Sequence, residues 1–276
     1  MTTPNIAHDV RIALAEDVGS GDLTARLIPG STLAEARVIS RENAVVCGGA
    51  WFDEVFRQLD PDVQVVWHCA DGDRVVPDQV LCVVQGAARS LLTGERSALN
   101  FLQTLSGTAT VTRRYVDALA DTQTKILDTR KTIPGLRAAQ KYAVRCGGGQ
   151  NHRMGLYDAV LIKENHIAAA GSITQAVAAI RGLMGTGFKI EVEVENLAQL
   201  KDAIDAGVDI VLLDNMDTQM IADAVTVAAG RVLMEASGGI TLDNIYDYAK
   251  TGVNFISIGA ITKHLHAVDL SMRFTS

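Results

Sequence analysis

Residues 189–259 read KIEVEVENLAQLKDAIDAGVDIVLLDNMDTQMIADAVTVAAGRVLMEASGGITLDNIYDYAKTGVNFISIG, and one unit recurs through them. A short apolar run ends on a polar residue or glycine, and an amphipathic stretch follows. The runs KIEVEV (189–194), DIVLLD (209–214), VLMEAS (232–237) and FISIG (255–259) end near Glu193, Asp214, Ser237 and Gly259, at separations of 21, 23 and 22 residues. One strand, one helix and two short loops fill that length. Working outward, KILD (125–128) and AVLIK (159–163) are two more such runs. Pro134 is placed to open a helix that Gly147-Gly148-Gly149 closes. Ser172, Asp217 and Thr241 read as N-caps, and Gly207 and Gly252 as residues that follow helices. Alternation of this kind gives a parallel sheet, and successive right-handed crossovers curl it into a barrel. A doubly wound open sheet is the competitor. The barrel is favoured because a polar residue or a glycine ends every run, whereas an open sheet gathers such residues at one switch point.

Residues 1–107 have a different texture and are expected to form a separate α+β domain, with 108–276 as the barrel domain, whose last helix is free to pack back on the first. Glu35–Cys47 and Val63–Val84 alternate like antiparallel strands, with turn signals at Asp71-Gly72-Asp73 and Pro77-Asp78. A helix is expected over Trp51–Leu59. A longer one runs from Ala88 to about Ala120, with a bend allowed at Gly107. On it Leu92, Leu99, Leu102 and Leu105 form a stripe, while Arg96, Asn100 and Gln103 share another face.

Bulk properties narrow the function classes. Net charge is −7, which argues against a general nucleic-acid binder. No apolar run approaches the roughly 20 residues of a membrane span, and no signal peptide is recognisable. Cys47, Cys69, Cys82 and Cys146 form no CxxC pair, so a cytoplasmic protein without disulfides or a zinc site is expected. Between Lys125 and His166, however, eight Lys or Arg face three acids, a basic island in an acidic chain. Charge alone favours a solvated basic face.

The strand ends favour a site instead. In a β/α barrel the residues there line the active site. They include Asp128, Thr129, Arg130, Lys131, Lys163, Glu193, Asp214, Ser237-Gly238-Gly239, Ser257 and Gly259-Ala260, with Gln150-Asn151-His152-Arg153 in a nearby loop. Arg130 and Arg153 suit bidentate binding of carboxylate or phosphate, and Lys131 and Lys163 supply point charges. The two glycine turns precede helices, where N–H groups favour a phosphate. Glu193 and Asp214 would repel such anions unless magnesium or a developing positive charge lay between. Individually, Lys163–Glu193 reads equally well as a barrel ion pair, and His152 as an ordinary loop histidine. His264 and His266 read as a surface pair.

Several segments together resemble the signature stretches of quinolinate phosphoribosyltransferases. They are Glu16–Thr24, Asp128–Arg137, Cys146–Arg153, Leu161–His166, Glu191–Asn196 and Leu212–Asn215, in order along nearly the whole chain. The resemblance implies an N-terminal α+β domain and an incomplete, seven-stranded β/α barrel, of which pattern alone gives six strands. It implies decarboxylating transfer of phosphoribosyl from phosphoribosyl pyrophosphate to quinolinate, with magnesium and no organic cofactor. It also implies a homodimer in which Arg96 reaches the neighbouring site. By position, Arg130, Lys131, His152, Arg153 and Lys163 would bind the two substrates, with Thr129 and Ser257 beside them. Glu193 and Asp214 would face the ribose and magnesium, and the Ser237 and Gly259 turns would hold the 5-phosphate. Lys131, Lys163, Glu193 and Asp214 would carry catalysis. Ile133 departs from the expected Thr or Leu. Strand alternation leaves open which of Glu191, Glu193 and Glu195 points inward. A Schiff-base aldolase using Lys163, a phosphate-ligand sensor and a transferase for another acid are the rival readings.

Overall fold

The computed structural model describes residues 3–184 and 187–275. In chain order, α1 (Ile6–Asp17) leads to β1 (Leu33–Ser40), β2 (Ala44–Val45), α2 (Gly49–Leu59), β3 (Gln64–Trp67), β4 (Arg74–Val75), β5 (Val80–Ala87) and the long α3 (Ala88–Asp117). Then come β6 (Lys125–Leu127), α4 (Arg137–Cys146), β7 (Val160–Ile162), α5 (Glu164–Ala170) and α6 (Ile173–Met184). The repeat continues with β8 (Ile190–Val194), α7 (Leu197–Asp205), β9 (Ile210–Asp214), α8 (Thr218–Ala228), β10 (Leu233–Ser237), α9 (Ile245–Lys250) and β11 (Phe255–Ser257). α10 (Ala260–Lys263) and β12 (Leu270–Phe274) end the chain.

Two compact units result, and neither is contiguous. One takes in the chain up to Arg113, Thr132–Gly148 and everything from Ala260 on; the other is Arg114–Lys131 with Gly149–Gly259.

In the second unit six strands lie in the order β6-β11-β10-β9-β8-β7, every pair parallel. Each strand from β7 to β11 lies beside its neighbour in the chain, and β11 returns to pair with β6. That is the order of a curled barrel sheet; an open doubly wound sheet would reverse direction midway. On the other edge of β6, Gln150 makes a single parallel bridge to Leu127. This is the place of the seventh strand, which among the described residues is reduced to that bridge. Gly147-Gly148-Gly149 offers no β-branched side chain to build a longer one.

The first unit holds the antiparallel sheet β12-β1-β5-β3, with a bulge between Val38 and Ile39. Its core gathers Trp51, Phe52, Phe56, Leu81, Leu91, Leu99, Leu102 and Leu105, each essentially closed to solvent. Burying each such side chain contributes about 1.5–3 kcal/mol, so these residues dominate the unit's stability. The Trp51 indole N–H donates to Asp9, tying α2 to α1.

Two local readings, at Pro134 and Thr241, are corrected, and a third, at Gly107, gains a physical reason. Pro134 does not open a helix: Gly135 takes φ +82° and the Leu136 N–H returns to the Ile133 carbonyl, a turn with proline second and glycine third, and α4 starts only at Arg137. α3 continues unbroken through Gly107, whose missing Cβ admits the His266 carbonyl; a Cβ there would lie 2.2 Å from that oxygen. The last N-cap is Asn244, not Thr241. Ser172 and Asp217 do cap their helices, accepting from the N–H groups of Gln175 and Met220.

Among the described residues no single helix is long and apolar enough to cross a membrane; α5 and α6 pass only as a pair bent by 87°.

Candidate active site

The strand C-termini of the second unit carry the chemistry. Lys163, directly after β7, is ion-paired through Nζ to Glu193 near the end of β8. Asp214 ends β9 one strand further on. Burial and then the charge of Glu193 hold its carboxyl above the ordinary value, and Lys163 works against the shift. These three groups form one charged cluster.

Asn215 donates from Nδ2 to Asp214 at 2.8 Å, and its backbone N–H donates to the Ser237 carbonyl at 2.9 Å. The turn after β10 takes Gly238 at φ +100° and Gly239 at φ +63°, conformations that favour glycine. A Cβ on Gly238 would stand 2.1 Å from Asn215 Oδ1, so only glycine lets the two loops meet.

A second cluster lies beside the first. Arg130 and Arg153 are half-buried, and burial, then Arg130, lowers the affinity of Arg153 for its proton, while Glu191 and Asp158 only partly oppose this. A third contact joins the end of β6 to the end of β11: the Lys131 N–H donates to Thr129 Oγ1, and the Lys131 stem lies 3.0 Å from where a Gly259 Cβ would be. Ser257 is buried at the end of β11, and Ala260 opens α10 in the first unit. Arg96 is an exposed residue of α3, also in the first unit.

Of the eight basic residues counted in sequence, four gather here. Arg137, Lys141 and Arg145 ride on α4 in the first unit, and Lys125 begins β6 at the opposite end of the strand.

Three acids support this mouth: Asp128, read from sequence as a strand-end residue, Glu191, left open there, and Glu235, which the sequence reading missed. Asp128, fully buried, accepts from Asn151 Nδ2 at 2.5 Å and from the His152 N–H at 3.0 Å, fixing the loop that carries Arg153. On β8 position along the strand decides: Glu191 is buried, Glu193 is partly covered, and Glu195 is exposed beyond the strand. Glu191 meets His152 Nε2 at 2.9 Å, and Glu235 on β10 stands 3.8 Å from the same nitrogen. For Glu235 the available signal was an acid in mid-strand, two residues before the strand end.

Burial, reinforced by the Glu191 charge and only partly opposed by His152, pushes the Glu235 carboxyl up to about 8. The groups facing it are Glu191 from β8, His152 from the preceding loop and Ser257 from β11. A folded-state value above the ordinary 4.5 means the folded chain keeps a proton that the unfolded chain has released. Stability therefore falls as pH rises from about 4.5 towards 8 and levels off beyond. Glu235→Gln is expected to flatten this part of the profile, read by thermal unfolding across that range; identical slopes in both proteins would contradict the assignment.

A barrel whose strand ends combine cationic forks, point charges, a carboxylate pair and glycine turns defines an enzyme of the β/α-barrel class built for anionic, phosphorylated substrates. The comparisons with known proteins narrow this. The family model described as quinolinate phosphoribosyl transferase, C-terminal domain, matches residues 108–273, and its N-terminal counterpart matches residues 22–106. A probable nicotinate-nucleotide pyrophosphorylase [carboxylating] of Bacillus subtilis is 45% identical over 94% of this chain and 90% of its own length. The nicotinate-nucleotide pyrophosphorylase [carboxylating] of Mycobacterium leprae is 43% identical, over 95% of both. The solved nicotinate-nucleotide pyrophosphorylase of Francisella tularensis superposes with a TM-score of 0.95 at 48% identity, covering 99% of this chain and 98% of that one. The chain belongs to the quinolinate phosphoribosyltransferase family.

Proposed function

We propose that this member of the family transfers the phosphoribosyl group of phosphoribosyl pyrophosphate to quinolinate, releasing pyrophosphate and carbon dioxide and leaving nicotinate mononucleotide, a precursor of NAD. The observation that carries the reading is the Lys163–Glu193–Asp214 cluster standing next to Arg130 and Arg153 at one end of a parallel sheet. Cations hold two polyanions together there, and carboxylates wait where positive charge would develop.

The pyridine nitrogen forms a bond to the anomeric carbon while the bond to pyrophosphate breaks and its electrons leave with the pyrophosphate. Positive charge on the ribose during that step faces Glu193 and Asp214. Lys163 keeps Glu193 in place, and Lys131 lies over the Gly259 turn. The ring nitrogen is now cationic, so the adjacent carboxylate departs as carbon dioxide and its electron pair rests beside that cation until a proton replaces it. Arg130 and Arg153, with His152 beside them, hold the quinolinate carboxylates; Thr129 and Ser257 line the same mouth. The Ser237-Gly238-Gly239 and Gly259-Ala260 turns receive the 5-phosphate, as barrels commonly do after their last strands. Positioning supplies much of the rate.

Glu193 and Asp214 are hard oxygen donors, and the upward push of the Glu193 charge on Asp214 is one that a divalent cation relieves. Magnesium entering with the pyrophosphate would be held by these two residues through substrate oxygens and water, and it supplies neutralisation of the leaving group. The four free cysteines suit a reducing compartment, and we place the reaction in the cytoplasm.

The assay is direct. Protein, magnesium and phosphoribosyl pyrophosphate are mixed with quinolinate or with nicotinate; carbon dioxide from the first and no product from the second supports the reading, and product from nicotinate would overturn it. We further propose a homodimer with Arg96 contributed to the neighbouring site. Arg96→Ala and Lys163→Ala homodimers are then both impaired, while dimers mixed from the two regain one working site. Full activity of Arg96→Ala alone would refute the sharing.

A further inference from the structure

The transfer as described makes no use of Glu191 and Glu235. Their side chains keep 7% and 1% of their exposure, and the His152 side chain between them keeps 12%. Glu191 Oε2 lies 2.9 Å from His152 Nε2. Glu191 Oε1 and both Glu235 oxygens are buried without a well-aligned hydrogen bond among the described residues, although Ser257 and Glu191 lie close enough to Glu235 to act on its protonation. Burying carboxyl groups this way is costly, and they are retained where orientation matters more than stability.

The imidazole is read from both sides. Its Nδ1 accepts the Arg153 N–H at 2.7 Å, so that nitrogen bears no proton. The ring proton therefore sits on Nε2 and points at Glu191. One imidazole thus spans the gap from a buried acid to the backbone of Arg153. Glu235, from a different strand, approaches the same Nε2 at 3.8 Å and lies against Glu191, so it backs the acid that receives the ring proton.

We propose that Glu191 and Glu235 are positioning residues that lock His152 as its Nε2–H tautomer and, through Nδ1, fix the Arg153 backbone so that its guanidinium is held ready for a substrate carboxylate. Glu191 accepts the ring proton. Glu235 carries its own proton at neutral pH, so it backs Glu191 without adding a second charge. The same chemistry recurs in metal sites, where the carboxylate behind a histidine ligand sets its tautomer. Here the oriented group is an arginine.

This inference rests on the transferase reading of the mouth, and the test separates the two. Steady-state rates are measured for the parent, Glu191→Gln, Glu235→Leu and Glu235→Gln, varying quinolinate and phosphoribosyl pyrophosphate in turn. Glu191→Gln and Glu235→Leu raise the quinolinate KM about tenfold or more, with a much smaller change for the other substrate. Glu235→Gln recovers most of what Glu235→Leu loses. A parent inactive on quinolinate sinks the transferase reading. An active parent whose Glu191→Gln variant keeps the parental quinolinate KM sinks this inference alone. Should the variants fold poorly, the nitrogen shifts of the parent's imidazoles decide, with His152 assigned by its loss in His152→Asn. An Nε2–H signal for His152 supports the lock; an Nδ1–H or doubly protonated ring overturns it.

Discussion

Lys163→Ala is expected to lower kcat by about two to three orders of magnitude while leaving the chain folded. The fold has little stake in this side chain. Lys163 is exposed after a three-residue strand, and its backbone is fixed independently, by its N–H donating to His166 Nδ1 at 3.0 Å at the start of α5. An exposed ion pair contributes about 0–1 kcal/mol, so the unfolding midpoint should barely move. The mouth has a large stake. Without the ammonium group, Glu193 and Asp214 present two carboxylates to incoming phosphates with no side-chain cation paired to them. Asp214 already feels the Glu193 charge, and Lys163 is the group that opposes it. Steady-state turnover together with thermal unfolding checks both halves of the expectation. A variant within tenfold of the parent rate, or one that unfolds, would show that Lys163 is structural.

The barrel was legible because its strands are apolar runs bounded by polar residues, a pattern written in consecutive positions. All six runs read from sequence became strands with ends shifted by a residue or two. What escaped was written elsewhere. β12 pairs with β1 from the far end of the chain, Arg37 opposite Arg273, and no local pattern announces such a partner. The Pro134-Gly135 pair carries the signals of both a helix start and a turn, and the left-handed glycine decided it. In the site, strand-end residues such as Lys163 and Glu193 were readable by position. Glu191 and Glu235 lie deeper on the same strands, and counting strand ends passes over them. The basic island was half illusion, because a helix between two barrel strands carries three of its members into the other unit.

Gly238→Ala should damage stability and turnover together, and the reason is geometric. At φ +100° any side chain strains its own backbone, a cost of about 1–3 kcal/mol. The same Cβ would lie 2.1 Å from Asn215 Oδ1, 2.8 Å from its Cγ and 3.0 Å from its backbone nitrogen. The amide could swing aside, but it would then release Asp214, which it holds at 2.8 Å. The backbone nitrogen cannot swing, because its N–H bonds the Ser237 carbonyl and so joins the ends of β9 and β10. Moving one loop away from the other therefore displaces a carboxylate placed for the ribose and a turn placed for the phosphate. We expect a stability loss of about 2–4 kcal/mol by denaturant unfolding, strain and overpacking combined, and turnover lowered about a hundredfold, the loss that misplacement near an active site produces. Gly239→Ala is the control. It has φ +63° but nothing within 4 Å of its added Cβ, so it carries backbone strain without the collision. If the two variants behave alike, the approach of Asn215 to Gly238 is incidental. If only Gly238→Ala loses turnover, the contact between these two loops is what sets Asp214 against the substrate.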